Sequence, residues 1–256
     1  MNIIELMLIH FSKYIRKRGN RMKIFLDAGH SDGGDAGAEG FNLREQDITF
    51  GIVMHLIKKL SDVGFEIMVS RENAEDVLGE NVSTSLSKRI SLANTWGADV
   101  FISIHCNASA NSAANGTEVY TFNTSGKAFS LAKKIQSKIV EILGTTDRGT
   151  KTANFAVLRE TSMPAVLVET AFISNKEDSD KLRTRQSDFA NAIFMAVCDE
   201  YNVSYDVKKY ETAEEILDKL TELIEITDMK TALEQIQDAK DKNNSLYWIL
   251  YKIVNR

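Results

Sequence analysis

Between Lys23 and Tyr201 the chain alternates short β-branched apolar runs with longer stretches of helical periodicity. The runs fall at residues 23–26, 66–69, 100–104, 118–121 and 165–168, each of strand length. Between them, Ile48, Ile52, Val53, Leu56, Ile57 and Leu60 recur at the spacing of one helix face, and residues 86–96, 128–143 and 188–201 follow the same period. Strands alternating with helices predict an α/β fold, a mostly parallel twisted sheet flanked by helices. Ligands of such sheets collect at the carboxyl ends of the strands. Polar residues that directly follow an apolar run are therefore the ones to examine.

The alternation stops where the turn formers stop. All 14 glycines lie at or before Gly149, and the single proline is Pro164. This composition shift predicts a boundary between a main domain over 22–203 and a small all-helical C-terminal module over 204–256, with residues 1–21 read separately as a leader or upstream extension. In that module, Thr212 and Glu215 form a capping-box pattern ahead of Ile216, Leu220 and Leu223. Tyr247, Trp248 and Tyr251 are expected to pack its core.

A content of 43% hydrophobic and 26% charged residues argues against disorder, and a net charge of -5 argues against a phosphate-tracking surface, so no nucleic-acid partner is expected. The only cysteines, Cys106 and Cys198, have no C-x-x-C spacing, so neither a thiolate zinc module nor a disulfide scaffold is expected. Lys13, Arg16, Lys17, Arg18 and Arg21 follow an apolar start, the reverse of the charge order in a secretory signal. The expectation is no export signal and no membrane span, with the first residues forming a leader helix or an extension upstream of a start at Met22.

Chemistry concentrates at the strand ends. The first run leads through Asp27, Ala28 and Gly29 into His30, followed by a loop rich in glycine that reads as flexible. Glu45 opens the next helix, where the helix dipole favours a carboxylate. The run at residues 100–104 ends in His105. Two imidazoles and one carboxylate leave one tetrahedral position open, as catalytic zinc requires and structural zinc does not. A further run, entered through Pro164, ends in Glu169, whose burial costs energy unless it is paired or working. Read structurally, Glu169 caps a helix or pairs with Arg159; read functionally, it is a general acid and base beside the metal, with a pKa raised by apolar surroundings.

These segments, together with Arg44-Glu45, Ser103 to Ala108, Gly116 to Tyr120, Asp147-Arg148-Gly149, Phe155 to Arg159, Leu167-Val168-Glu169 and Phe172 to Asn175, resemble the Amidase_3 family of zinc-dependent N-acetylmuramoyl-L-alanine amidases over roughly residues 22–201. The resemblance implies zinc held by His30, Glu45 and His105, Glu169 as the catalytic acid and base, and peptidoglycan as substrate. Cys106 is expected to point away from the metal, because successive strand residues face opposite sides of a sheet. Arg71 and Arg89 are candidate contacts for stem-peptide carboxylates, with a structural role as the alternative. His10 and His55 are read as non-catalytic.

The resemblance also implies an enzyme that acts at the bacterial cell wall after release from the cell, as a phage endolysin or autolysin does. No inhibitory insertion is evident, so activity is expected to be constitutive. The C-terminal helices are left with three roles: binding wall polymer, self-association, or stabilising the enzyme. Two other functions compete, a wall-binding module without chemistry and a zinc peptidase acting on the stem peptide.

Overall fold

The computed structural model describes residues 21–205. The expected leader, apart from Arg21, and the C-terminal helices from Thr212 onward lie outside the described residues. In chain order the strands are β1 (Lys23–Ala28), β2 (Glu39–Gly40), β3 (Leu43–Arg44), β4 (Glu66–Val69), β5 (Val100–Asn107), β6 (Thr117–Thr121), β7 (Asp147–Thr152) and β8 (Ala165–Phe172). The helices are α1 (Glu45–Asp62), α2 (Val82–Trp96), α3 (Gly126–Leu143), α4 (Ala156–Arg159), α5 (Lys176–Thr184) and α6 (Gln186–Tyr201).

Six strands form one sheet in the order β4-β1-β5-β8-β6-β7, while β2 and β3 pair as a small separate hairpin. β4, β1, β5 and β8 are mutually parallel; β6 runs antiparallel to β8 and parallel to β7. The expected mostly parallel sheet is present, with two strands reversed at one side.

The side-chain period of two divides the apolar residues between the faces. Ile24, Leu26, Ile102, Ile104, Val166 and Val168 turn toward α1, α3 and α6 in the larger core. Phe25, Phe101 and Leu167 turn the other way, toward Ile90 and Ala93 of α2 and Val157 and Leu158 of α4. The rings of Phe25 and Phe101 stack there at 5.5 Å with no exposure to solvent. Truncating either to alanine would cost about 3–5 kcal/mol.

Both site-bearing strands run further than their apolar runs. β5 continues through His105 to Asn107, and β8 continues through Glu169 to Phe172. By alternation, His105 shares a face with Phe101, and Glu169 shares it with Leu167, so both rise from the face covered by the smaller core, beyond the part that α2 and α4 cover. α2 also starts earlier than its apolar pattern, because Asn81 caps it with a reciprocal box to Thr84.

Candidate metal and amide-hydrolysis site

His105 and Glu169 are register partners on adjacent parallel strands, so their side chains lie side by side on one face. His30 follows the end of β1 in the left-handed region at φ 63°, a conformation that a non-glycine residue adopts only when its surroundings hold it. Gly29 precedes it, and its amide donates to the Ile104 carbonyl at 2.9 Å. A β carbon on Gly29 would lie 2.5 Å from Cε1 of His105, so glycine is what lets the imidazole lie against this turn.

Glu45 is the first residue of α1 and is 3% exposed. Its Oε1 accepts from the Cys106 amide at 2.9 Å and lies 3.0 Å from Nδ1 of His105 and 3.2 Å from Nε2 of His30. Its Oε2 accepts from the Ala38 amide at 2.9 Å. His30, Glu45 and His105 each offer one donor atom, and those atoms lie within 4.8 Å of one another. Burial pushes the Glu45 carboxyl upward, but the hydrogen bonds from His105 and His30 outweigh it and hold the group well below the usual carboxylate range. His30 is disfavoured as a cation by burial, yet its bonds to Asp35 and Glu45 raise it to about 10. This concentration of imidazole and carboxylate is a candidate cation site, and its donor set would suit zinc with a coordination position to spare.

A buried network lies behind His30. Its Nδ1 is 2.8 Å from Oδ1 of Asp35, whose other oxygen accepts from Ser85 Oγ at 2.6 Å. Arg89, 1% exposed, donates to Asp27 Oδ1 at 2.5 Å, to the Ala28 carbonyl at 2.6 Å and to the His30 carbonyl at 2.7 Å. Ser103 donates to the other oxygen of Asp27 at 2.7 Å. Arg71, also 1% exposed, donates to the Gln46 and Ala74 carbonyls at 2.8 Å and 3.0 Å. Of the two roles expected for Arg71 and Arg89, this placement favours the structural one. Both guanidiniums lie in the interior, tied to backbone carbonyls, and Arg89 fastens the turn that presents His30.

Glu169 is half-buried, and its Oε2 is shielded from solvent with no hydrogen-bond partner among the described residues. Burial is the main cause that raises its carboxyl to about 7, opposed by His105 and aided by the negative charges of Glu45 and Glu118. Arg159, the alternative partner, instead bonds Asn154 and Glu160. Cys106 turns into the larger core, with its Sγ 3.6 Å from Thr170 Oγ1, and is not in the cluster. His55 lies on α1 outside the cluster, and His10 is outside the described residues.

Sequence reasoning assigned no role to Asp27, Asp35, Glu118, Arg148 or Lys151. The loop between His30 and Glu45 is also more ordered than a glycine-rich flexible segment. Gly37, at φ 74°, approaches so closely that a β carbon would meet the His30 ring at 2.7 Å and Glu45 Oε2 at 2.8 Å.

Comparison with known proteins identifies the family. Residues 24–199 match the Amidase_3 sequence profile, described as N-acetylmuramoyl-L-alanine amidase. The chain is 43% identical over 162 residues to N-acetylmuramoyl-L-alanine amidase LytC of Bacillus subtilis strain 168, a match spanning 62% of this chain and 31% of that protein. It is 36% identical over 191 residues to the sporulation-specific N-acetylmuramoyl-L-alanine amidase of the same organism, spanning 73% of this chain and 70% of the other. The crystal structure of N-acetylmuramoyl-L-alanine amidase from Clostridium difficile 630 superposes with a TM-score of 0.66 at 34% identity, covering 73% of this chain and all of that one. On fold, profile and sequence identity together, this chain belongs to the Amidase_3 family of N-acetylmuramoyl-L-alanine amidases.

Proposed function

We propose that this protein hydrolyses the amide between the lactyl group of N-acetylmuramic acid and L-alanine in bacterial peptidoglycan, with zinc held by His30, Glu45 and His105. The observation that carries the reading is the convergence of three metal-competent donor atoms within 4.8 Å beside a shielded carboxylate oxygen of Glu169 that has no hydrogen-bond partner among the described residues. When bound there, zinc supplies Lewis acidity to the amide carbonyl and acidifies a water molecule.

The rest of the chemistry belongs to the chain. Asp35 accepts from Nδ1 of His30, which fixes the imidazole tautomer and leaves Nε2 toward Glu45. Glu169, beside His105, takes the proton of the attacking water and returns it to the departing L-alanine nitrogen, a transfer worth about 10² to 10⁴ in rate. Main-chain amides of Ala38 and Cys106 hold Glu45 in place, one on each carboxylate oxygen.

The setting we propose is wall degradation by a released lysin of the endolysin or autolysin type, with residues 22–203 as the catalytic domain and residues 204–256 as an accessory module. Among the described residues, no helix is long and apolar enough to cross a membrane. Digestion of purified peptidoglycan with and without a zinc chelator tests the reaction. Chelator-sensitive release of L-alanine amino termini, without new reducing sugar ends, is the expected result. Release of a different amino terminus would mean a stem-peptide peptidase, and binding without release a wall-binding module.

A further inference from the structure

The row of side chains on this sheet face does not end at Glu169. Glu118, the second residue of β6, is its antiparallel register partner and so projects from the same face. Lys151 of β7 pairs with Tyr120, two residues along from Glu118, and falls on that face as well. Glu118, 5% exposed at its side chain, accepts on Oε1 from Asn107 Nδ2 at 2.5 Å and Tyr120 OH at 2.8 Å. Its Oε2 accepts from Arg148 Nε at 2.9 Å and from Lys151 Nζ.

Two cations thus share one carboxylate oxygen, and one positive charge is left uncompensated within the cluster. The Arg148 and Lys151 side chains are 34% and 39% exposed. The Arg148 guanidinium lies over the Phe172 ring at 4.8 Å, which fixes its plane. Its Nη1 reaches the Asn115 carbonyl at 3.4 Å, and its Nη2 has no hydrogen-bond partner among the described residues. A surface ion pair would leave no surplus. This cluster leaves a held, half-open guanidinium edge beside an ammonium.

We infer that Arg148 and Lys151 form a carboxylate-binding subsite that takes a free carboxylate of the stem peptide and sets the peptide's direction across the site. This rests on the amidase reading and deepens it. The two cations come off β7, two strands from β8, and meet at Glu118 on β6, one strand away, so at about 4.8 Å per strand the subsite lies about 5–10 Å from Glu169. An extended peptide advances about 3.5 Å per residue. The carboxylate that reaches the subsite is therefore one carried two or three residues beyond the scissile amide. Glu118 holds the two cations apart from Glu169, so the same cluster keeps a positive charge from pairing with the acid and base.

The test uses zinc-loaded full-length protein and soluble muramoyl tripeptides with all peptide carboxylates free, or with the second or third residue amidated. It measures kcat/KM for each, together with calorimetric binding of the free-acid tripeptide, for wild type, Arg148→Gln and Lys151→Gln. In either variant Glu118 keeps one cation, Tyr120 and Asn107, and a melting curve checks that the fold is retained. Amidation at one of the two positions should lower wild-type kcat/KM at least tenfold, about what a charge-assisted hydrogen bond supplies. Each variant should bring that preference toward one. Cleavage of all substrates with equal efficiency, or a preference that survives both variants, would overturn the subsite and leave the amidase reading standing. Tripeptide binding that depends on Arg148 without any cleavage would keep the subsite and remove the proposed reaction. Absence of both would remove both.

Discussion

Replacing Arg89 with methionine tests whether the turn carrying His30 is held from behind. Methionine fills a comparable volume on α2 but removes donors to Asp27, Ala28, His30 and Ser85. It leaves Asp27, 1% exposed, with Ser103 as its remaining side-chain donor. Breaking a buried pair in this way costs about 3–5 kcal/mol, which in a domain of this size lowers Tm by roughly 6–20 °C. The stranded charge, more than lost packing, is the cause, so adding Asp27→Asn should recover part of the loss. A double-mutant cycle by urea unfolding of chelated protein should give a coupling of at least about 1 kcal/mol.

The pH dependence of the same variant has a defined sign. Burial raises the Asp27 carboxyl, but Arg89 and the Ser103 hydrogen bond outweigh it and hold the group below its ordinary value. A depressed carboxyl stabilises the fold above its unfolded pKa and loses that contribution as pH falls through the folded value. In the variant, burial acts unopposed by Arg89, and protonation relieves it. The gap between wild type and Arg89→Met should therefore narrow as pH falls from 7 toward about 4. A loss below about 1 kcal/mol, or strictly additive effects of the two substitutions, would refute the reasoning.

Other outcomes follow from the site. Glu169→Gln should lose about 10² to 10⁴ in rate while keeping its zinc, read by turnover and metal analysis. In chelated protein the same variant should gain stability above pH 7 and not at pH 4: the folded carboxyl, raised to about 7, keeps a proton that the unfolded chain has already released. Wild type therefore loses up to about 3 kcal/mol across that window, measurable by urea unfolding at both pH values. His30→Ala and His105→Ala should each lower zinc content after dialysis, because a two-ligand site loses affinity and geometry together. Cys106→Ala should retain full zinc content, since its sulfur lies in the larger core.

The strands and helices that carry the site were legible because they are buried. The runs at residues 23–26, 100–104 and 165–168 are apolar enough to be read without a partner. His105 and Glu169 stand out because they are polar residues extending such runs. β7 has no such signal: Asp147–Thr152 is wholly polar but for Gly149, and it forms an edge strand through pairing with β6 alone. α5 is similarly short of apolar residues and is fixed by Asn175, which accepts from the Glu177 and Asp178 amides. The choice between two roles for Arg71 and Arg89 stayed open in the sequence for a general reason. Sequence gives a charge but not the carbonyls that surround it, and an arginine can be buried once turns such as Ala28 to His30 offer enough acceptors. The reversal of β6 and β7 is equally invisible in a pattern that records alternation and not direction.

The two amides that donate to Glu45 give the site its own reporters. Ala38 and Cys106 approach the carboxylate from different segments, one on each oxygen. Drawing electron density from Glu45 into a metal would weaken both bonds together, so their proton resonances should shift in concert as the cation is titrated in.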